Sequence, residues 1–336
     1  MDEGNPDGVA TFRATGDVAA AGHRIAANIE QVIEGKADTI RLGLTVLLAE
    51  GHLLIEDVPG VGKTKFAKAL ARSIDCTVRR VQFTPDLLPS DITGVSIYNT
   101  ESRDFEFKPG PVFANIVVGD EINRASPKTQ AALLECMEER QVTVDGVTYP
   151  VGSPFLVLAT QNPIDMEGTY PLPEAQVDRF FFKLLLEFPS RAELARIADL
   201  TTAAPPSGLR EIVDAGGILQ MRQWVREVPL AEVVKDYAVR LVMSTHPQQK
   251  HGNGSGGLAE RFVMYGSSPR GLQSLILAAK ARALLAGRPN VSFDDIRTQL
   301  LPSLRHRLIL NLEADAEGIT AEKILTEVAA QVPEME

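Results

Sequence analysis

Cysteine is scarce in this chain of 336 residues, with Cys76 and Cys136 the only two. They form no CxxC pair, which leaves neither a disulfide framework nor a zinc-ligand spacing. The five histidines, His23, His52, His246, His251 and His306, are scattered and share no ligand spacing, so solvated or capping roles are expected of them. Long apolar runs are missing too. Leu42 to Ala49, the longest before residue 57, is too short to cross a bilayer. Nor is there a basic excess. Lys and Arg number 34 against 44 Asp and Glu, a formal net charge of −10. That balance disfavours a general nucleic-acid binder, because neutralising phosphates needs a basic surface, although a local basic pore stays compatible with it. Residues 1 to 17 hold acid, glycine and proline instead of a signal-peptide layout, so a loose N-terminal tail and a cytoplasmic location are expected. No repeat period is present. What remains is an ordinary globular composition, 44% apolar, long enough for two domains.

Within it, Asp57-Val58-Pro59-Gly60-Val61-Gly62-Lys63-Thr64 stands between two patterned segments. Leu53-Leu54-Ile55 precedes it as a short apolar strand. Phe66, Ala67, Ala69, Leu70 and Ile74 follow at helical spacing. A strand, a glycine-bearing loop and Gly-Lys-Thr opening a helix together make a phosphate cradle, with backbone N–H groups and the positive helix end facing the anion. Lys63 is placed to reach the β- and γ-phosphates of ATP, and the Thr64 hydroxyl to ligate Mg²⁺. Asp57 stands where the usual pattern begins with glycine, a turn-entry position that aspartate tolerates.

Asn115-Ile116-Val117-Val118-Gly119-Asp120-Glu121 reads as a buried parallel strand ending in two carboxylates. Ligands of open α/β sheets bind beyond the carboxyl ends of the strands. Asp120 suits Mg²⁺, through water, and Glu121 suits general-base work on an attacking water. Phe155 to Asn162 is a second such strand, which would bring the Asn162 amide near the γ-phosphate.

Helices are expected from Ala19 to Ile33 and from about Asp38 to Leu48, strands at Val78 to Phe83 and Phe180 to Phe188, and a capped short helix or turn at Thr84 to Asp91. Two hairpins are expected. One pairs Val95–Tyr98 with Phe105–Phe107, and the other pairs Val142–Val144 with Val147–Tyr149 across Asp145-Gly146. They read equally as edge decoration or as working parts. Between them Ser126-Pro127 caps and starts a helix carrying Leu133, Leu134 and Met137. From Pro189 the chain is helix-rich, broken at residues 204–208 and 251–257. The fold class read here is α/β, a parallel sheet flanked by helices over residues 18–188, then a helical lid over 189–336, behind a tail at 1–17.

Several strings go beyond a phosphate loop: Glu121-Ile122-Asn123-Arg124-Ala125, Lys128 to Glu135, Met137 to Thr143, Ala159 to Pro163, Glu167 to Gln176, and Asp178-Arg179-Phe180. Together they resemble the MoxR family of AAA+ ATPases, in the clade with an insert in its second core helix, over roughly residues 25 to 300. The resemblance implies that Asn162 is the sensor of the γ-phosphate and that Arg179 is the arginine finger completing a neighbouring subunit's site. It implies that Arg270 is the second sensor on the lid, toward its own nucleotide or a neighbour's. It places the two hairpins at a ring pore. A self-assembled hexameric ring is implied, as are ATP with Mg²⁺ and chaperone-like maturation of protein clients, including von Willebrand factor A domain proteins.

Three other readings compete. A metal-chelatase motor subunit would act with a second subunit on a porphyrin. A nucleic-acid translocase would want basic hairpins, and residues 141–151 carry no lysine or arginine. A nucleotide-gated scaffold would hydrolyse ATP negligibly, which an intact Glu121 and Arg179 disfavour.

Overall fold

Apolar spacing and end signals account for the first elements. The computed structural model describes residues 12–33, 36–57, 63–162, 168–186, 190–202, 208–247 and 257–335. Helix α1 (Thr15–Glu30) starts where the Asp17 carboxylate accepts from the backbone N–H groups of Arg13 and Ala14, and it buries Val18, Ala21, Ile25 and Ile29 on one face. It begins four residues before Ala19 and so enters the segment read as tail. Helix α2 (Ala37–Leu48) leads into strand β1 (Leu53–Asp57), after which α3 spans Lys63–Ser73. Next come β2 (Val78–Gln82), the short α4 (Pro89–Thr93) and the hairpin of β3 (Gly94–Asn99) and β4 (Asp104–Pro109).

Strand β5 (Ile116–Asp120) is buried along its whole length. A single 3-10 turn, Ile122–Arg124, connects it to α5 (Pro127–Glu139). The Ser126 hydroxyl accepts from Thr129 N–H and proline occupies the first turn, which fixes where α5 starts. The second hairpin, β6 (Gln141–Val144) and β7 (Val147–Pro150), turns through Asp145 and Gly146, both at positive φ, as a tight two-residue connection requires. Then follow β8 (Leu156–Gln161), α6 (Glu174–Val177), β9 (Phe182–Leu186) and α7 (Arg191–Thr202). The remainder comprises α8 (Ala215–Glu227), α9 (Glu232–Met243), α10 (Leu258–Phe262), β10 (Val263–Tyr265), α11 (Pro269–Leu285), α12 (Phe293–Leu304), β11 (Ile309–Leu310), α13 (Leu312–Glu317) and α14 (Ala321–Gln331). The sequence of this half contains no strand-rich run, and the short antiparallel ladder of β10 with β11 is an addition to its helices.

The sheet is parallel throughout, in the order β2-β5-β8-β1-β9. Its two faces separate by residue parity. Leu53, Ile55, Ile116, Val118, Leu156 and Leu158 share one buried cluster with α1, α2, α3 and the C-terminal helices. Leu54, Val117, Val157 and Ala159 face the other way, against Phe83, Leu133, Leu134, Met137 and Phe180. The C-terminal helices therefore have no separate core. Helix α11 packs on α1 and α2 as well as on α8, α9 and α12.

The hairpins pack on each other, Phe107 stacking on Tyr149 with ring centroids 4.1 Å apart. The first leaves Val95, Ile97, Tyr98 and Phe105 exposed. No described helix is long and apolar enough to cross a membrane.

Candidate functional site

Parallel strands put all their carboxyl ends on one edge, and three central strands deliver polar residues there. Strand β1 ends at Asp57, and α3 begins six residues later with Lys63 and Thr64. Val58, Pro59, Gly60, Val61 and Gly62, and the side chains of Asp57 and Lys63, lie outside the described residues. Strand β5 ends at Asp120, followed by Glu121, and β8 ends at Gln161, followed by Asn162. The β5–β8 register, Gly119 beside Ala159, brings these exits level, and the Asn123 amide donates to Asn162 O at 3.2 Å. The structure thus gathers the chain segments that carry Thr64, Asp120, Glu121 and Asn162 at one edge.

Neighbours unnamed by the sequence hold the two carboxylates. Arg80 Nε donates to Asp120 Oδ2 at 2.5 Å, and Arg80 Nη2 donates to Gln82 Oε1 at 2.9 Å. Gln82 Nε2 then donates to Glu121 Oε2 at 3.1 Å, and Arg124 pairs with the same oxygen at 3.0 Å. Asp120 Oδ1 keeps no partner among the described residues. Glu121 lies in the left-handed region (φ 58°, ψ 50°), a strained conformation for a residue with a side chain, and its N–H donates to Thr160 Oγ1 at 2.9 Å. Arg80 and Gln82 are two residues apart on β2 and share one face, a spacing visible in sequence. That β2 lies beside β5, with Gln82 level with Asp120, is not visible there.

A carboxylate with an open oxygen and a threonine at a helix start suit Mg²⁺, which takes one or two protein oxygens with phosphates and water. The residues present fit the nucleotide and its metal. No group of three or more His, Cys, Asp or Glu suited to a metal ion occurs among the described residues.

Arg179 and Arg270 are elsewhere. Arg179 precedes β9, whose first residue Phe182 is level with Leu53 at the start of β1. The side chain of Phe181 packs directly on Gly51, where an added Cβ would meet the Phe181 Cβ at 2.3 Å and its ring at 2.4 Å, and this brings the segment against the entry to β1. The five-residue strand β1 separates this amino edge from the phosphate loop by roughly 16 Å. Here Glu138 pairs with Arg179 at 3.1 Å and with Arg270 at 2.5 Å. Arg307 donates to Asp178 Oδ1 and to the carbonyls of Asp178, Phe180 and Phe181, anchoring the segment before β9. Burial pushes the Arg307 pKa down, to about 10, against the opposing pull of Asp178.

These groups line a cleft of about 280 Å³. Glu50 pairs there with Arg140 at 3.0 Å and Arg226 at 3.5 Å. Burial raises the Glu50 pKa, but the hydrogen bond and charge of Arg140, with Arg222 and Arg226, outweigh burial and leave it below the ordinary range. Five arginines and three carboxylates line the cleft, an excess of two positive charges on a chain of net charge −10.

Two histidines depart from the solvated or capping roles expected of them. His52 is buried at the entry to β1, its Nε2 bonded to Met137 O and its Nδ1 accepting from Val157 N–H. Burial drives its pKa down to about 4. His306 bonds Phe180 O through Nε2, and burial holds it well below the ordinary imidazole range. Both brace the amino edge as neutral rings.

Residues 52–182 match the model of the ATPase family associated with various cellular activities (AAA), and residues 257–328 match the AAA lid domain. YeaC of Bacillus subtilis is 48% identical over 308 residues, covering 91% of this chain and 92% of that protein. Chaperone MoxR1 of Mycobacterium tuberculosis is 40% identical over 304 residues, covering 90% and 80%. Protein MoxR of Paracoccus denitrificans is 34% identical, covering 85% and 87%. A crystal structure of a Cytophaga hutchinsonii protein aligns with a TM-score of 0.88 at 38% identity, covering 95% of this chain and 96% of that one. With an α/β sheet, a helical lid and these relatives, the chain belongs to the MoxR family of AAA+ ATPases.

Proposed function

We propose that the protein hydrolyses ATP with Mg²⁺ at sites formed between copies of itself, and uses the cycle to remodel or mature partner proteins. One observation carries the reading. Asp120 and Glu121 stand with the end of β1 and the start of α3 at the carboxyl edge of the sheet, while Arg179 and Arg270 stand at the amino edge. A chain that keeps its base and its candidate arginines on opposite edges needs a neighbour to complete a site. Head-to-tail contact of this kind closes into rings, for which a hexamer is proposed.

The loop from Asp57 through Thr64 would hold the triphosphate, with Lys63 at the terminal phosphates and Thr64 and Asp120 at Mg²⁺. When bound, Mg²⁺ neutralises charge on the β- and γ-phosphates. Glu121 would take the proton from the attacking water, and Asn162 would sense the γ-phosphate. Arg179, and with it Arg270, would come from the neighbouring copy to stabilise charge in the transition state. Their placement favours the neighbour's nucleotide over their own chain's as the target of Arg270. Core 18–188 and lid 189–336 are the proposed moving parts.

The name of the Mycobacterium tuberculosis relative, a chaperone, supports the client reading, and von Willebrand factor A domain proteins are the proposed clients. Two free thiols and the lack of a described spanning helix are compatible with action in the cytoplasm.

Phosphate release by the purified protein with Mg²⁺ and ATP tests the activity. Glu121→Gln should bind nucleotide normally and turn over at least ~10²-fold more slowly, the scale of a lost general base. Lys63→Ala should lose tight binding. No phosphate release from the wild-type assembly, or full turnover in Glu121→Gln, would sink the reading.

A further inference from the structure

Glu138 has no role in nucleotide chemistry assigned by anything above, yet two arginines meet on it from distant parts of the chain. Arg179 comes from the segment before β9, and Arg270 from the first turn of α11, 132 residues from Glu138. Each takes a different oxygen, Oε2 for Arg179 and Oε1 for Arg270. Both grips are made through a single Nη2. The remaining contacts are long: Arg179 Nη1 to Leu134 O at 3.4 Å, and Arg270 Nη1 to Asp178 at 3.9 Å. Each guanidinium therefore keeps an Nε donor with no partner among the described residues.

Helix α5 supplies both acceptors for Arg179, Leu134 O and the Glu138 carboxylate, one turn apart on the same face. The opposite end of α5 is capped by Ser126, five residues after Glu121. Glu138 is thus set by a rigid helix and not by a loop. Its side chain and those of Arg179 and Arg270 are 36%, 33% and 43% exposed. Ion pairs this open to water contribute little to stability. Their geometric effect is larger. Two guanidinium groups that would repel each other are held side by side, with donors left over, in a cleft carrying excess positive charge.

We propose that Glu138 is a positioning residue: it holds Arg179 and Arg270 together as a two-arginine cradle for the phosphate tail of a nucleotide held by a second copy of this chain. The proposal rests on the reading that these arginines act on a neighbour. Its ligand class is a terminal phosphate, which a planar guanidinium meets with two parallel N–H groups, and two such groups would embrace it from two sides. Glu138 makes no contact with the phosphate. It acts by fixing where the arginines start.

The test compares Glu138→Gln, which keeps shape and removes charge, with Glu138→Asp, which keeps charge. Glu138→Gln should bind a fluorescent ATP analogue as wild type does and lose roughly 10–10²-fold in kcat, the scale of a displaced catalytic group. Glu138→Asp should recover part of that loss. A merely structural ion pair would instead move the melting temperature and leave kcat per folded assembly unchanged.

Mixing gives the decisive arm. Lys63→Ala subunits keep an intact cradle, and Glu138→Gln subunits keep an intact pocket, so mixed assemblies should exceed the summed activity of the two alone. Arg179→Ala mixed with Lys63→Ala is the control. Rescue of Arg179→Ala without rescue of Glu138→Gln overturns this proposal and leaves the trans reading standing. Failure of both, in assemblies shown by native mass spectrometry to be mixed, overturns the trans reading and the proposal with it. Glu138→Gln turning over as fast as wild type or faster overturns the proposal outright. If Glu138→Gln does not fold, Glu138→Ala takes its place in every arm: a measurable kcat loss rescued by mixing supports the proposal, and wild-type kcat overturns it.

Discussion

The backbone N–H of Glu121 donates to the hydroxyl of Thr160 at 2.9 Å, so the two central strands of the sheet jointly fix where the candidate base stands. Thr160 is buried, and no other described group accepts from this N–H. Thr160→Val should keep the fold, at a cost of about 1–3 kcal/mol for the orphaned donor. It should lower kcat by about tenfold or more with nucleotide affinity unchanged, because the left-handed Glu121 is freed to shift. Steady-state phosphate release with a parallel binding titration reads both. A fall in affinity without a fall in kcat would mean that the bond serves the loop and not the base.

Arg179→Ala should bind ATP normally and hydrolyse it poorly, and mixing it with Lys63→Ala should restore activity. An arginine finger is worth about 10³–10⁵ in rate, so even sparse mixed interfaces are detectable. Arg270→Ala should behave in the same way, since it shares the amino edge with Arg179. Rescue of Arg179→Ala alone would assign Arg270 to its own chain's nucleotide, and would require the lid to move away from Glu138.

Stability should fall with acidification through a window set by histidine. Burial lowers the His52 pKa from 6.5 to about 4 and holds His306 well below 6.5. The unfolded chain takes up these protons first, so the stabilising contribution is full above about pH 6.5 and is lost as pH falls toward 4. For His52 the cost is at most about 1.36 kcal/mol per pH unit, hence roughly 2 kcal/mol by about pH 5, and His306 acts in the same direction. Urea unfolding at about pH 7 and pH 5 measures the sum, and His52→Gln should show a shallower dependence. An unchanged slope in that variant would show that His52 is not one of the groups responsible.

Asp295 closes a cluster in the C-terminal helices. Its side chain is fully buried, accepts from Arg282 and Arg288, and completes a capping box with Ser292. Burial alone would raise its pKa, but hydrogen bonds from Arg288, Ser292 and Arg282 outweigh burial and hold it at about 2. Its contribution is therefore present above about pH 4 and lost below, outside the histidine window. Asp295→Asn should cost about 3 kcal/mol, as breaking a buried pair does, measured as a lower urea midpoint. A shift under about 0.5 kcal/mol would mean that the arginines re-pair with Asp294, which already contacts Arg282 at 3.0 Å.

Much of the carboxyl edge was legible in the residues themselves. A β-strand, a glycine-bearing loop and a helix from Lys63 are set by backbone conformation and apolar spacing within about twenty residues, and so are the Asp145-Gly146 turn and the Ser126 cap. Asp120 and Glu121 end an apolar run, and any parallel sheet would put them beside the loop. The partners across the sheet were not legible. A period of two tells which way a side chain points but not which strand lies alongside, so only the order β2-β5-β8-β1-β9 brought Arg80 to Asp120 and Gln82 to Glu121. Nor does periodicity show that α11 packs on α1, joining the two halves in one buried cluster, or that His52 and His306 are interior. Arg179 and Arg270 could be named from motifs. Their meeting on Glu138, at the edge away from their own phosphate loop, depends on contacts between distant parts of the chain, 132 residues apart for Arg270, and only packing decides those.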